Sequence, residues 1–122
     1  MNLNEYQSKA MNTCMPSSEN FSYMFLNLVG EVGEFASKIA KHIRKEHYAI
    51  GCNNIIPNAN YFDIDDAIAK EELKKEAGDI LWQLAGLCTI MGWDFKDVAQ
   101  ANLDKLASRQ QRGKIDGSGD NR

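Results

Sequence analysis

Glu31 and Glu34, in the stretch LVGEVGEFASKIAK, and Glu76 and Asp79, in ELKKEAGDILWQLAGL, are the residues whose type and spacing could do chemistry. An acid-x-x-acid pair occurs four times in the chain, the others being Asp63/Asp66 and Asp94/Asp97. Those two fall at expected helix starts, where capping and the helix dipole account for them. The first two lie in mid-helix, and a surface helix normally keeps its acids opposite its apolar stripe. At about 100° per residue, Glu31 falls only roughly 80° from the middle of its stripe. Glu76 lies between Leu87 and Ile90 at the edge of the apolar sector, and Asp79 one step further round. The displacement has the same rotational sense on both helices. Two antiparallel helices would therefore gather four carboxylates at one end of a shared seam.

Such a cluster is unstable alone, because like charges repel and partial burial adds a desolvation cost. A hard divalent cation removes both penalties, since Mg²⁺ takes oxygen ligands and keeps several waters. Carboxylates without thiol or imidazole favour Mg²⁺ or Mn²⁺ over zinc. A di-iron bundle would need Glu-x-x-His pairs, and His42 and His47 stand outside any such spacing. Opposite charge is also at hand. Asn102, Lys105 and Arg109 share one flank of an expected fourth helix, Arg112 and Lys114 follow, and Lys38 and Lys41 lie one to two turns after Glu34. Acids that hold a metal beside bases that hold anions describe a site for a metal–phosphate ligand. Solvated surface remains the alternative, with Glu34–Lys38 as a routine i,i+4 pair.

The elements that must position these residues are helical. A first helix is expected over about Asn4 to Asn12, capped by Asn4, and the breaker run TCMPSSEN follows. A second runs from about Asn20 to Glu46 on Met24, Leu28, Val32, Phe35, Ile39 and Ile43. The segment from His47 to Asp65 is rich in Asn and Gly and reads as an inserted loop, with Ile55, Ile56, Tyr61 and Phe62 to pin it. A third helix, about Asp66 to Met91, carries Leu73, Ala77, Ile80, Leu84, Leu87 and Met91, and Gly92 ends it. Asp94 can cap a fourth helix bearing Phe95, Val98, Ala99, Leu103 and Leu106. Helices joined without strands imply an all-α bundle of four to five helices in one domain, 1–122. The glycine-rich tail, 113–122, should not pack on its own. Trp82 lies opposite the main stripe of the third helix among Gly78, Ala85, Gly86 and Thr89, a second packing face that suggests subunit assembly.

Bulk properties narrow the function. A length of 122 residues suits one domain, and 14 basic against 17 acidic side chains argue against a duplex-DNA binder, which carries a basic excess. Cys14, Cys52 and Cys88 are odd in number and lack a C-x-x-C spacing, so reduced thiols are expected and a zinc site is not. The polar N-terminus has no signal core and no stretch reaches the ~18 apolar residues of a membrane span, so a cytoplasmic protein is expected.

LVGEVGEFASKIAK followed by ELKKEAGDILWQLAGL resembles the paired E-x-x-E and E-x-x-D motifs of MazG-like nucleoside triphosphate pyrophosphohydrolases. NLDKLASRQQRGKIDGSGDNR is similar to the Asn-x-x-Lys-x-x-x-Arg helix and the ending of small members. The resemblance covers the chain from Phe21 onward. It implies an all-α fold, Mg²⁺ dependence with Mn²⁺ as a substitute, and hydrolysis of a nucleoside triphosphate to the monophosphate and pyrophosphate. Carried over by position, Glu31, Glu34, Glu76 and Asp79 become metal ligands, Lys105 and Arg109 phosphate contacts, and Asn102 a polar partner. Lys38, Arg112, Lys114 and Arg122 complete the candidate substrate-binding set, and the tail's glycines could fold over bound phosphates. A homodimer or homotetramer is implied. The chain departs from compact members in the 41 residues between Glu34 and Glu76, which the 47–65 loop accounts for. Two alternatives stand: a narrower relative acting on dUTP, dCTP or phosphoribosyl-ATP, and a non-catalytic helical binding subunit.

Overall fold

The computed structural model describes residues 1–51, 55–57 and 66–122; Cys52, Tyr61, Phe62 and Asp63 lie outside them. The described elements are α1 (Leu3–Met11), a 3-10 turn (Pro16–Ser18), α2 (Phe21–Arg44), a two-stranded hairpin of β1 (Tyr48–Ile50) and β2 (Ile55–Pro57), α3 (Asp66–Ile90) and α4 (Phe95–Gln111). The fold is all-α in its architecture, as the periodicity predicts. The segment expected as a loop carries the hairpin, antiparallel with Ala49 opposite Ile56. Its Tyr-Ala-Ile and Ile-Ile-Pro runs are too short for the alternation that marks a strand in sequence.

Helix α1 starts two residues earlier than expected. Asn2, not Asn4, is its cap: the Asn2 side chain accepts from the Glu5 N–H while the Glu5 carboxylate accepts from the Asn2 N–H, a closed capping box. Asn4 caps another helix instead, its Oδ1 accepting from the Lys96 N–H of α4 at 2.9 Å. Gln7 extends the same device. Its Oε1 accepts from the Phe95 N–H at 2.9 Å, and its Nε2 donates to Thr89 Oγ1 and to the Trp93 carbonyl. Asp94 is the residue at the N-cap of α4, yet its side chain makes no cap bond. The first two N–H groups of that helix are thus met by α1.

The core lies where α1, the end of α3 and the start of α4 converge, on Ala85, Cys88 and Phe95 with Leu3, Tyr6, Leu84 and Val98 around them. Cys88 is a packing residue there, and burial pushes its thiol pKa up. Gly92 turns the chain between α3 and α4 at φ +70, where a side chain would be strained.

The small-residue face of α3 is used within the chain. A Cβ at Gly86 would run into the Sδ and Cε of Met24, which is fully buried, so glycine lets α2 close on α3. The Trp82 indole N–H donates to the Ala10 carbonyl and to Thr13 Oγ1, tying the end of α1 down. Part of the expected stripe, by contrast, faces outward: Val32 is 51% exposed and Met91 43%. Phe21, Phe25, Leu26 and Val29 are also exposed along α2, with Phe21 and Phe25 stacked at a centroid distance of 5.8 Å.

Candidate functional site

Met24 of α2 meets Gly86 of α3, and fourteen residues on, Lys38 meets Glu76. The two long helices therefore run antiparallel, and the acidic pairs lie along one seam. Glu31, Glu34 and Glu76 each place a carboxylate oxygen within 4.8 Å of the others. Glu76 is the innermost of the three, 6% exposed; Glu31 is partly covered and Glu34 exposed. The trio does not include Asp79, which is exposed, although its charge reaches Glu31.

The electrostatics of the group are those of acids held together against repulsion. Desolvation raises the pKa of the Glu31 carboxyl first, followed by the charges of Glu34 and Asp79 and, more weakly, Glu76. Asn27 opposes the shift, its Nδ2 donating to Glu31 Oε1 at 3.1 Å. One cation is already present: Lys38 Nζ lies 2.6 Å from Glu76 Oε1. Hydrogen bonding to Glu76 raises the Lys38 pKa, so its ammonium stays charged. The other oxygen, Glu76 Oε2, is buried with no hydrogen-bond partner in the described structure. A buried carboxylate oxygen without a donor is costly, and a cation bound among the three acids would satisfy it. The donor set, all carboxylate, suits a hard divalent ion. The residues present fit a metal.

The remaining sequence-predicted residues form a second group, on α4 and the tail. Asn102 and Lys105 line an open cavity of about 700 Å³ together with Trp93, Asp94, Asp97 and Val98. Arg109 is 4% exposed, and its Nη2 donates to the Gly119 and Asp120 carbonyls, each at 3.3 Å, and to Asp120 Oδ1 at 3.1 Å. Lys105 Nζ approaches the same Asp120 oxygen at 3.5 Å. Arg112 donates to Ser108 Oγ and to the main-chain oxygen of Arg122. The Arg122 guanidinium turns inward to the Lys114 and Gly119 carbonyls, and Lys114 is exposed. The tail, expected not to pack, is thus docked along α4. Helix α4 packs chiefly on α1 and α3, and among the described residues the base paired with the acid trio is Lys38, not one of the α4 group. Asp120 is the residue sequence reasoning passed over. No spacing rule marks it, because its partners Lys105 and Arg109 are reached only when the chain reverses at Gly113 and Gly119, both at positive φ.

An all-α bundle that gathers carboxylates from two adjacent antiparallel helices, one of them with an unsatisfied buried oxygen, is of the kind that binds a cation at a helix seam. The family model for the MazG nucleotide pyrophosphohydrolase domain matches residues 19–113, and the chain belongs to that family. The chain is also similar to the Gene 37 protein of Mycobacterium phage L5, 35% identical over 129 aligned positions that cover the whole of both chains. No solved structure matches. The match spans both acidic pairs, Asn102, Lys105, Arg109 and Arg112, and ends before Lys114 and most of the tail. Among the described residues no helix is long and apolar enough to cross a membrane.

Proposed function

We propose that this protein is a Mg²⁺-dependent nucleoside triphosphate pyrophosphohydrolase, releasing pyrophosphate and a nucleoside monophosphate. The observation that carries the reading is the trio Glu31, Glu34 and Glu76, from two helices, with Glu76 Oε2 buried and unpaired. Asp79, one turn beyond Glu76, joins the trio as a fourth ligand by a rotamer change or acts on water at its edge. A divalent cation bound there would supply neutralisation of phosphate charge and activation of water. The chain's own residues do the rest. One carboxylate of the site not fully engaged by the cation takes a proton from the attacking water. Lys38, paired with Glu76 at the trio, turns to a phosphate oxygen of the bound substrate. Lys105 and Arg109, which lie away from the trio within one chain, contact the triphosphate across the homo-oligomer, with Asn102 fixing its orientation and Arg112, Lys114 and Arg122 organising the tail beside it. Positioning and charge neutralisation of this kind dominate phosphoryl-transfer catalysis.

A homo-oligomer is part of the same proposal. Phe21, Phe25, Leu26, Val29 and Val32 expose an apolar strip on α2, and Leu103 and Leu106 another on α4. A lone soluble domain rarely leaves such patches bare, and a second copy would cover them. The site works in the cytoplasm, where Mg²⁺ and triphosphates are plentiful and Cys14 and Cys88 stay as free thiols.

The test is pyrophosphate release from a panel of ribo- and deoxyribonucleoside triphosphates with Mg²⁺, with Mn²⁺ and with chelator. Release that needs metal and falls about 100-fold or more in Glu76→Gln supports the proposal. No release from any triphosphate by folded protein, or release indifferent to chelator, overturns it.

A further inference from the structure

Asp120 sits on the two cations that the proposed function assigns to the triphosphate. Its Oδ1 lies 3.1 Å from Arg109 Nη2 and 3.5 Å from Lys105 Nζ. One carboxylate oxygen shared by a guanidinium and an ammonium is the arrangement a phosphate oxygen would adopt there. We propose that the tail is a built-in competitor: the Asp120 carboxylate occupies the Lys105–Arg109 anion site and must leave before a phosphate chain can take it. This inference rests on the pyrophosphohydrolase reading only for the identity of the natural ligand; the masked anion site itself rests on the contacts.

Three features make the contact a clamp that opens rather than a permanent strut. Arg109 has five donors, but all three of its bonds to the tail leave from Nη2, at 3.1–3.3 Å, longer than the ~2.7–2.9 Å of a well-made charge-assisted bond. Its Nε is buried without a partner among the described residues, so the guanidinium has donor capacity the tail does not use. The two members of the pair differ sharply in exposure: the Arg109 side chain is 5% exposed and that of Asp120 86%. The cation is fixed in the body of α4, and the anion is the part free to swing away. Gly119, at φ +80 immediately before Asp120, supplies the turn that brings the carboxylate in. Arg122 braces that turn from the far side through Gly119 and Lys114 carbonyls, contacts that do not involve the Asp120 side chain.

The experiment measures inorganic pyrophosphate binding by calorimetry in chelator, which silences the acid trio, for the full chain and for Asp120→Asn, with turnover of triphosphate measured in parallel. Asparagine keeps the size and leaves the main-chain bonds to Arg109, so the fold is preserved; Asp120→Ala serves as the second variant. The clamp predicts about fivefold tighter pyrophosphate binding in both variants, the factor by which an ion pair of surface strength competes. Unchanged or weaker binding in both overturns it and makes Asp120 a support for the bound anion. Tighter binding with no hydrolysis by any form upholds the masked site while the pyrophosphohydrolase reading fails. Hydrolysis by the wild type with unchanged pyrophosphate affinity in the variants does the reverse.

Discussion

Lys38 Nζ lies 2.6 Å from Glu76 Oε1, across the seam between α2 and α3, on the innermost of three clustered carboxylates. The ammonium stands where positive charge is required, on one oxygen of a carboxylate whose other oxygen is buried and unpaired. Lysine is a point charge on a flexible stem, and at 39% side-chain exposure it has room to move aside.

That arrangement predicts an exchange of counter-charges. Lys38→Met should lower the thermal midpoint in chelator, because Glu76 loses the ammonium paired with it, and the deficit should shrink when Mn²⁺ is added at saturation. Turnover should fall about tenfold through the lost phosphate contact. Differential scanning fluorimetry with and without metal decides it: an equal deficit in both conditions would show that Lys38 and metal do not share Glu76.

Gln7 is predicted to be the costliest polar residue in α1. It makes three bonds to Thr89, Trp93 and Phe95, at 9% exposure. Gln7→Ala should destabilise by roughly 2–4 kcal/mol, since it leaves the Phe95 N–H and the Trp93 carbonyl unsatisfied near the core. Urea unfolding should show a lower midpoint at unchanged slope. A loss below about 0.5 kcal/mol, the size of an ordinary surface change, would mean that water replaces the side chain.

The exposed strip on α2 predicts self-association. Wild-type protein should elute and scatter as a dimer or tetramer, and Phe25→Asp/Val29→Asp should shift it to smaller species, because unpaired charge at an apolar contact is strongly unfavourable. Light scattering that gives a monomer for both proteins would leave the strip without this partner.

The tail contact should depend on pH in one direction. Arg109, by hydrogen bonding, and then Lys105, by charge, hold the Asp120 carboxyl below the usual range. A carboxylate with a depressed folded-state pKa contributes stability above its unfolded value, and loses it as pH falls through the folded one. The Asp120 contact should therefore persist at neutral pH and be released only below the ordinary aspartate range. An NMR titration of the Asp120 carboxyl carbon checks this; a midpoint at or above the ordinary value would show that the pair does not form in solution.

Local patterning of residues sets the helices and the acidic pairs. Periodic apolar residues, Asn20 ahead of α2 (its side chain accepting from the Tyr23 N–H at 2.8 Å) and Gly92 after α3 are local signals, and local signals set helix positions to within a residue or two. The rotational placement of Glu31 and Glu76 was legible for the same reason: a helix has one period, so faces follow from counting. Which residues share a site was not legible, because that depends on contacts between residues far apart in the chain. Asn4 reads as the cap of its own helix and serves α4; Asp94 reads as a cap and leaves the task to Gln7 and Asn4. Lys105 and Arg109 read as phosphate contacts and are taken by Asp120, a residue of the tail. Only tertiary structure decides such pairings. A hydrogen-bonding or charged side chain carries no preference for one distant partner over another until packing has fixed what lies within about 3 Å of it.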